Sequence, residues 1–271
     1  MNLAYLLPRL ARHFIPDDLA RVLLRRGLLI QPGLETRQPR EAADRYLQAL
    51  QPAGIALTGK RVMVFGYGGN FALGCLLLRL GATHVVLCDK FAAPDDGRNA
   101  ALLPEFADYL ALQRGRVVPS TPALSLLHGD IRQVQMEEVD IVLSSSVYEH
   151  LDDVEGITRS LARLTAPGGV HLHYIDLRDH YFKYPFEMLT FSEHIWRKWL
   201  NPSSNLNRWR LPDYQRVFDA HFEQLEIRIL ADDLPALEKT RQRIRPEFLC
   251  GDPQVDAATL IRVLAKNPRH G

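Results

Sequence analysis

KRVMVFGYGGNFALGCLLLRLGATHVVLCD, residues 60–89, is the stretch whose reading decides the fold. Val62 to Phe65 form an unbroken apolar run of strand length, and Gly66-Tyr67-Gly68-Gly69-Asn70 supplies a tight turn after it. From Phe71 to Leu80 the chain is mostly apolar, as a helix packed on a sheet would be, and Gly81 predicts its C-terminal cap. A second apolar strand, Val85 to Cys88, ends in Asp89. Strand, glycine turn, helix and strand, closed by a carboxylate, are the form of a nucleotide-binding half of a doubly wound sheet. The glycines remove side chains where the backbone must bend sharply and leave peptide N–H groups bare to a ligand at the helix start. Asp89 is placed to accept hydrogen bonds from ribose hydroxyls, and such a charge-assisted bond contributes about 1.5 to 3 kcal/mol.

Working outward, the segment after Asp89 predicts a loop over Phe91 to Gly97 and a helix from Asn99 to Gln113. Further strands are expected at Leu124 to His128, Val139 to Leu143, Val170 to Ile175 and Phe222 to Leu230. Ala257 to Ala265 reads as a last strand, with helix as the alternative because of its Ala and Leu content. Helices at Asp153 to Leu164, Glu193 to Leu200, Leu211 to Ala220 and Leu234 to Arg245 fall between them or follow them. Strands alternating with helices at this spacing predict a mostly parallel sheet. Residues 1–57 lack strand alternation. Leu3 to Phe14, Asp17 to Leu29 and Glu41 to Leu50 have apolar residues at helical spacing, so a helical N-terminal cap is expected ahead of an α/β domain at 58–271. Packing on the core's flank is the plain reading of that cap, and a lid over a substrate pocket is the functional one.

The chain has 271 residues, of which 46% are hydrophobic and 24% charged, as in an ordinary soluble globular protein. A net charge of +1 gives no case for a nucleic-acid or anionic-membrane partner. Cys75, Cys88 and Cys250 have no metal-ligand spacing, and the first two fall on buried elements, so reduced thiols and a cytoplasmic setting are expected. No apolar run approaches membrane-spanning length, and Arg9 and Arg12 break any signal-peptide core.

Two cofactor classes use a glycine turn with an acid at the second strand's tip. The dinucleotide fingerprint would place its third glycine on Phe71, which argues against NAD. A shorter G-x-G-x-G form would place it on Asn70, and Asn is the best substitute for Gly in a left-handed backbone. With these motifs the sequence resembles the class I S-adenosylmethionine-dependent methyltransferases, of the type acting on small molecules. The resemblance covers roughly residues 59–176. Val62 to Gly68 match the family's first motif with Asp89 as its ribose acid, and Gly129-Asp130-Ile131 match its adenine-holding segment. Val139-Asp140-Ile141-Val142 with Val147, Glu149 and His150 match the next motif, and Ala166-Pro167-Gly168-Gly169 the turn before the fifth strand.

The resemblance implies a doubly wound, Rossmann-like seven-stranded sheet whose last strand is antiparallel, S-adenosyl-L-methionine as cofactor, and a substrate-facing insertion at about 180–220. It implies that Gly66, Tyr67, Gly68, Asn70, Asp89, Asp130, Ile131 and Ser145 bind the cofactor. Asp130 would accept from the adenine amine, and Ile131 would pack on the ring. The sequence departs from the family at Val64, usually an acid, and at Asn70, usually Gly. Family members that bind metal through the Glu149-His150 motif carry another acid three residues before Glu149, where this chain has Ser146, so no metal is expected.

The segment after the fifth strand, Asp176-Leu177-Arg178-Asp179-His180-Tyr181, lies at the carboxyl edge, where ligands bind in open α/β sheets. Asp176 and His180, with His150, are the catalytic candidates, and Tyr181 joins them in the acceptor pocket. His171 and His173 alternate along a strand and read as sheet residues. Tyr184, Phe186, Trp196, Trp199 and Trp209 form an aromatic group for which helix packing is the default and an apolar substrate pocket the alternative. The expected activity is methyl transfer to a small-molecule or sugar-like acceptor. The alternatives are a nicotinamide-dependent oxidoreductase and a non-catalytic binding module of the same fold.

Overall fold

The computed structural model describes residues 3–13, 37–179, 184–201 and 206–270. The helix read at Asp17 to Leu29 lies outside them, as do His180 and Tyr181. The elements are α1 (Leu3–His13), α2 (Pro39–Leu50), β1 (Arg61–Phe65), α3 (Ala72–Arg79), β2 (His84–Asp89), α4 (Asp96–Ala100), β3 (Leu110–Gln113), β4 (Arg116–Pro119), β5 (Leu124–His128), β6 (Val139–Ser145), α5 (Val154–Arg163), β7 (Thr165–Asp176), α6 (Leu211–His221), β8 (Phe222–Asp232), α7 (Leu234–Thr240) and β9 (Ala258–Pro268). Shorter helical turns lie between them.

Seven strands make one sheet in the order β5-β2-β1-β6-β7-β9-β8. β5, β2, β1, β6 and β7 are parallel to one another, and β9 runs antiparallel between β7 and β8. This is the doubly wound, mostly parallel arrangement with a late antiparallel pair. The apolar run of β1 follows from its central place. Val62 and Val64 face α2 and α3, Met63 faces α5 and α6, and all three are fully buried. Each such side chain contributes about 1.5 to 3 kcal/mol by leaving water. Because β1 pairs with β2 on one side and β6 on the other, the strand order reverses at β1 and opens a crevice at the carboxyl edge. The glycine turn leaves β1 into that crevice.

One stretch differs from the sequence reading. The helix expected over Asn99 to Gln113 ends at Ala100, and a separate hairpin of β3 and β4 follows. Pro104 would remove a backbone donor from the interior of such a helix. Gln113 pairs with Arg116 around Arg114 and Gly115, whose φ angles are 51° and 78°, so both turn residues are left-handed as a tight hairpin requires.

The N-terminal helices part company. α2 packs on the flank of the core, burying Ala42, Ala43, Tyr46, Ala49 and Leu50. α1 packs instead with the segment after β7, where Tyr5 joins Phe186, Met188, Trp196 and Leu200 in a third apolar cluster. Arg9 and Asp179 form a buried ion pair beneath it, Tyr5 Oη donates to Asp179 at 2.6 Å, and Arg9 also donates to the Leu200 carbonyl. Of the aromatic group, Phe186 and Trp196 are buried here, Trp199 is partly exposed, and Trp209 packs on Tyr214 at 5.6 Å.

Candidate active site

The crevice is built first by the glycine turn. Gly66, Gly68 and Gly69 have φ of 84°, 65° and 82°, a region that side chains rarely enter. A methyl group on Gly66 would stand 2.3 Å from Val147 Cγ2, and one on Gly69 would stand 2.5 Å from the Ala93 carbonyl oxygen. The Gly66 amide donates to the Cys88 carbonyl at 2.7 Å, closing the turn onto β2. Asn70 is not in the left-handed region that its sequence position suggested. Its side-chain oxygen accepts from the Ala72 amide at 2.9 Å, so it serves the first turn of α3.

Two side chains hold this turn in place. Asp89 accepts from the Gly68 amide at 3.2 Å through one oxygen and from the Phe91 and Ala92 amides at 2.8 Å each through the other. It thereby joins the turn to the loop after β2 while staying partly accessible. Asn99, which the sequence reading did not single out as a site residue, is fully buried. Its amide nitrogen donates to the Gly69 carbonyl and its oxygen accepts from the Phe71 amide, both at 2.9 Å. No local pattern marks it, because its partners lie about thirty residues earlier in the chain.

Beyond β5, Asp130 caps a turn that buries Ile131. Arg132 donates to Asp130 through Nε at 2.9 Å and Nη2 at 2.5 Å, and Lys90 Nζ adds a bond at 3.1 Å. The Arg132 guanidinium holds the Asp130 carboxyl well below the usual carboxylate range.

The tip of β6 completes the crevice. Ser146 has a φ of 57°, an uncommon backbone for a residue with a side chain, and Ser145 Oγ accepts from Arg45 Nη2 at 3.1 Å. Arg45 comes from α2 and lies 3.5 Å over the ring of Tyr174, another contact invisible to local sequence. Glu149 is buried and accepts from the Asp176 amide at 3.4 Å, which links this tip to the end of β7. Asp176 itself is paired with Arg178 through Nε at 2.9 Å and Nη2 at 2.7 Å. His150 closes the turn Tyr148–His150 beside Glu149. His180 lies outside the described residues.

His171 and His173 stand apart from the crevice. Both are fully buried among Tyr148, Phe218 and Phe222. Burial drives the His171 ring down to about 3 and, with His171 beside it, the His173 ring well below the ordinary value of 6.5, so both are neutral. Their hydrogen bonds can run in one direction only. Thr165 Oγ1 donates to the Leu161 carbonyl at 2.8 Å and so receives the proton of His171 Nε2 at 2.8 Å. His171 Nδ1 then accepts from His173 Nε2 at 3.2 Å, and His173 Nδ1 accepts from Ser144 Oγ at 2.7 Å. The row is structural.

Among the described residues, no three His, Cys, Asp or Glu side chains converge as a metal ion would require, and no helix is long and apolar enough to cross a membrane.

Residues 102–173 match the family model of a methyltransferase domain. Phosphoethanolamine N-methyltransferase 2 of Haemonchus contortus, solved with S-adenosyl-L-methionine, superposes with a TM-score of 0.52 at 15% identity over 83% of this chain and 53% of that one. The YcgJ protein of Bacillus subtilis superposes with a TM-score of 0.51 at 13% identity over 86% of this chain and all 100% of that one. At such identities the likeness is one of fold. No curated protein sequence matches the chain significantly. The fold and its crevice define an α/β protein of the doubly wound class. The methyltransferase-domain match over residues 102–173, together with this fold, supports S-adenosylmethionine-dependent methyl transfer over the nicotinamide alternative.

Proposed function

We propose that this enzyme transfers the methyl group of S-adenosyl-L-methionine to a small-molecule or sugar-like acceptor in a cytoplasmic setting. The observation that carries the cofactor assignment is the glycine turn braced on Asp89, packed so closely that a Cβ at Gly66 would meet Val147 and one at Gly69 the Ala93 carbonyl. Through that turn Gly66, Tyr67, Gly68 and Asn70 hold the cofactor, with Ser145 across the crevice. Asp89 receives the ribose hydroxyls, and Asp130 and Ile131 receive the adenine. The free, buried thiols of Cys75 and Cys88, both pushed up to about 12 by burial, support the reducing compartment.

The bound cofactor supplies an electrophilic methyl on a sulfonium, so the chain's task is alignment. Holding an acceptor in line can supply about 7 to 11 kcal/mol of the barrier. Asp176, fixed by Arg178 and by the Glu149 link to its amide, orients the acceptor at the carboxyl edge. His180 takes the acceptor's proton, and His150 borders the same pocket.

Calorimetry tests the cofactor. S-adenosylhomocysteine should bind saturably and NAD should not, and the reverse outcome would sink the assignment. In Asp89→Ala, binding should weaken by roughly 1.5 to 3 kcal/mol, from ten- to more than a hundredfold. Affinity equal to the parent's would remove Asp89 from the ribose site. His180→Ala should lower turnover by about 10² to 10⁴ with cofactor affinity unchanged if His180 is the base. Unchanged rate and acceptor affinity in the His180 and Asp176 variants would move the search to His150.

A further inference from the structure

The outer strands of the sheet carry a groove that methyl transfer does not use. Between the end of α2 and the face of β8 and β9 lies a cavity of about 310 Å³, bordered by Ala53, Glu226, Arg228, Arg262 and Lys266. Register explains the gathering. Gln224 faces Lys266 and Arg228 faces Arg262, so alternate residues of two neighbouring strands present their side chains on one face.

Two guanidinium groups meet one carboxylate there, with a lysine beside them. Glu226 receives both Arg262 Nη2 and Arg228 Nη2, the latter at 3.1 Å, and Lys266 Nζ reaches the Ala53 carbonyl oxygen at 3.4 Å. The Arg262 side chain is only 13% exposed, and its buried Nε has no acceptor among the described residues. The fixed fork of a guanidinium suits two oxygens of one oxyanion, and a lysine adds a third donor as a point charge.

We propose that this groove is a binding site for a small phosphate-type oxyanion, such as a phosphate monoester, held by Arg228, Arg262 and Lys266. Glu226 offsets one of the three positive charges, and the remainder matches a phosphate dianion. The groove is separate from the cofactor crevice. β9 and β8 are three and four strands from β1, or about 14 to 19 Å at the usual spacing of neighbouring strands.

The test is calorimetric titration of the full-length chain with inorganic phosphate at constant ionic strength, with and without saturating S-adenosylhomocysteine. Saturable binding with a dissociation constant of roughly millimolar order, unchanged by S-adenosylhomocysteine, is expected. Arg228→Gln combined with Lys266→Gln should weaken it about tenfold or more, the loss of two charge-assisted contacts. Arg262 is mostly buried, so the exposed Arg228 and part-buried Lys266 keep the test independent of whether an Arg262 variant folds. No saturation at tens of millimolar phosphate, equal affinity in the double variant, competition by S-adenosylhomocysteine, or equally tight binding of acetate would each overturn the proposal.

Discussion

Acidification from about pH 7 to about pH 5 is expected to cost the folded protein about 2 kcal/mol through His171, with His173 adding a loss in the same direction. Burial holds the His171 ring at about 3 and the His173 ring well below 6.5 in the folded chain, whereas unfolding restores the ordinary 6.5. Below 6.5 the unfolded chain therefore takes up protons that the folded chain refuses, and stability falls with pH. The His171 contribution is fully present above 6.5 and is lost progressively as pH falls toward 3, at about 1.4 kcal/mol per pH unit, and that of His173 is lost in the same direction. Acid also breaks the one-way row, since a protonated His171 cannot accept from His173 at Nδ1. Denaturant melts between about pH 7 and pH 5, above the range where ordinary carboxylates titrate, measure the slope. His171→Phe with His173→Phe should flatten it. A parent slope that is already flat would show that the rings are not neutral and buried as described.

The other large effect belongs to Asn99. Replacing it with leucine of similar shape strips the Phe71 amide of its partner in a fully buried place and takes one of two donors from the Gly69 carbonyl, which keeps the Asp95 amide at 3.0 Å. At about 1 to 3 kcal/mol for the one unmet group, the turn should lose roughly that much support. That loss falls on the segment carrying the bare amides, so cofactor affinity should drop by tenfold or more even in preparations that remain folded. Asn99→Asp keeps an acceptor for Phe71 and loses only the donor to Gly69, so it should lie between parent and leucine variant. Circular dichroism separates folding from binding here. If the leucine variant titrates S-adenosylhomocysteine like the parent, the turn needs no clamp.

These two cases show where the sequence was legible. The unit from β1 to β2 is local: apolar run, glycines, helix and carboxylate occur in one stretch of thirty residues, and each constrains its neighbour's conformation. β8 was readable as a strand, whereas the Ala and Leu content of Ala257 to Ala265 left helix open until β9 was seen pairing with it, and the domain match and fold agree with the methyltransferase reading. The β3–β4 hairpin was missed because Leu102, Leu103, Phe106 and Leu110 mimic helical spacing, while Pro104 and the Arg114-Gly115 turn carried the contrary signal. Asn99, Arg45 and the Arg9–Asp179 pair were illegible for another reason. Each joins segments far apart in the chain, and no periodicity encodes a single long-range hydrogen bond. The left-handed role expected of Asn70 failed because its side chain found a nearer use at the start of α3.

The bond between Arg9 and Asp179 also has a meaning in time. The two residues are separated by 170 positions, so α1 leaves the ribosome with its anchor still unmade. At about 5 to 20 residues per second, Asp179 is synthesised roughly ten to thirty seconds after Arg9. The Leu200 carbonyl, the other partner of Arg9, follows later still. Through that interval the parallel strands β1, β2, β5 and β6 can assemble from contiguous chain while α1 waits to dock. Docking of α1 against the segment after β7 is thus ordered after the glycine turn by synthesis itself.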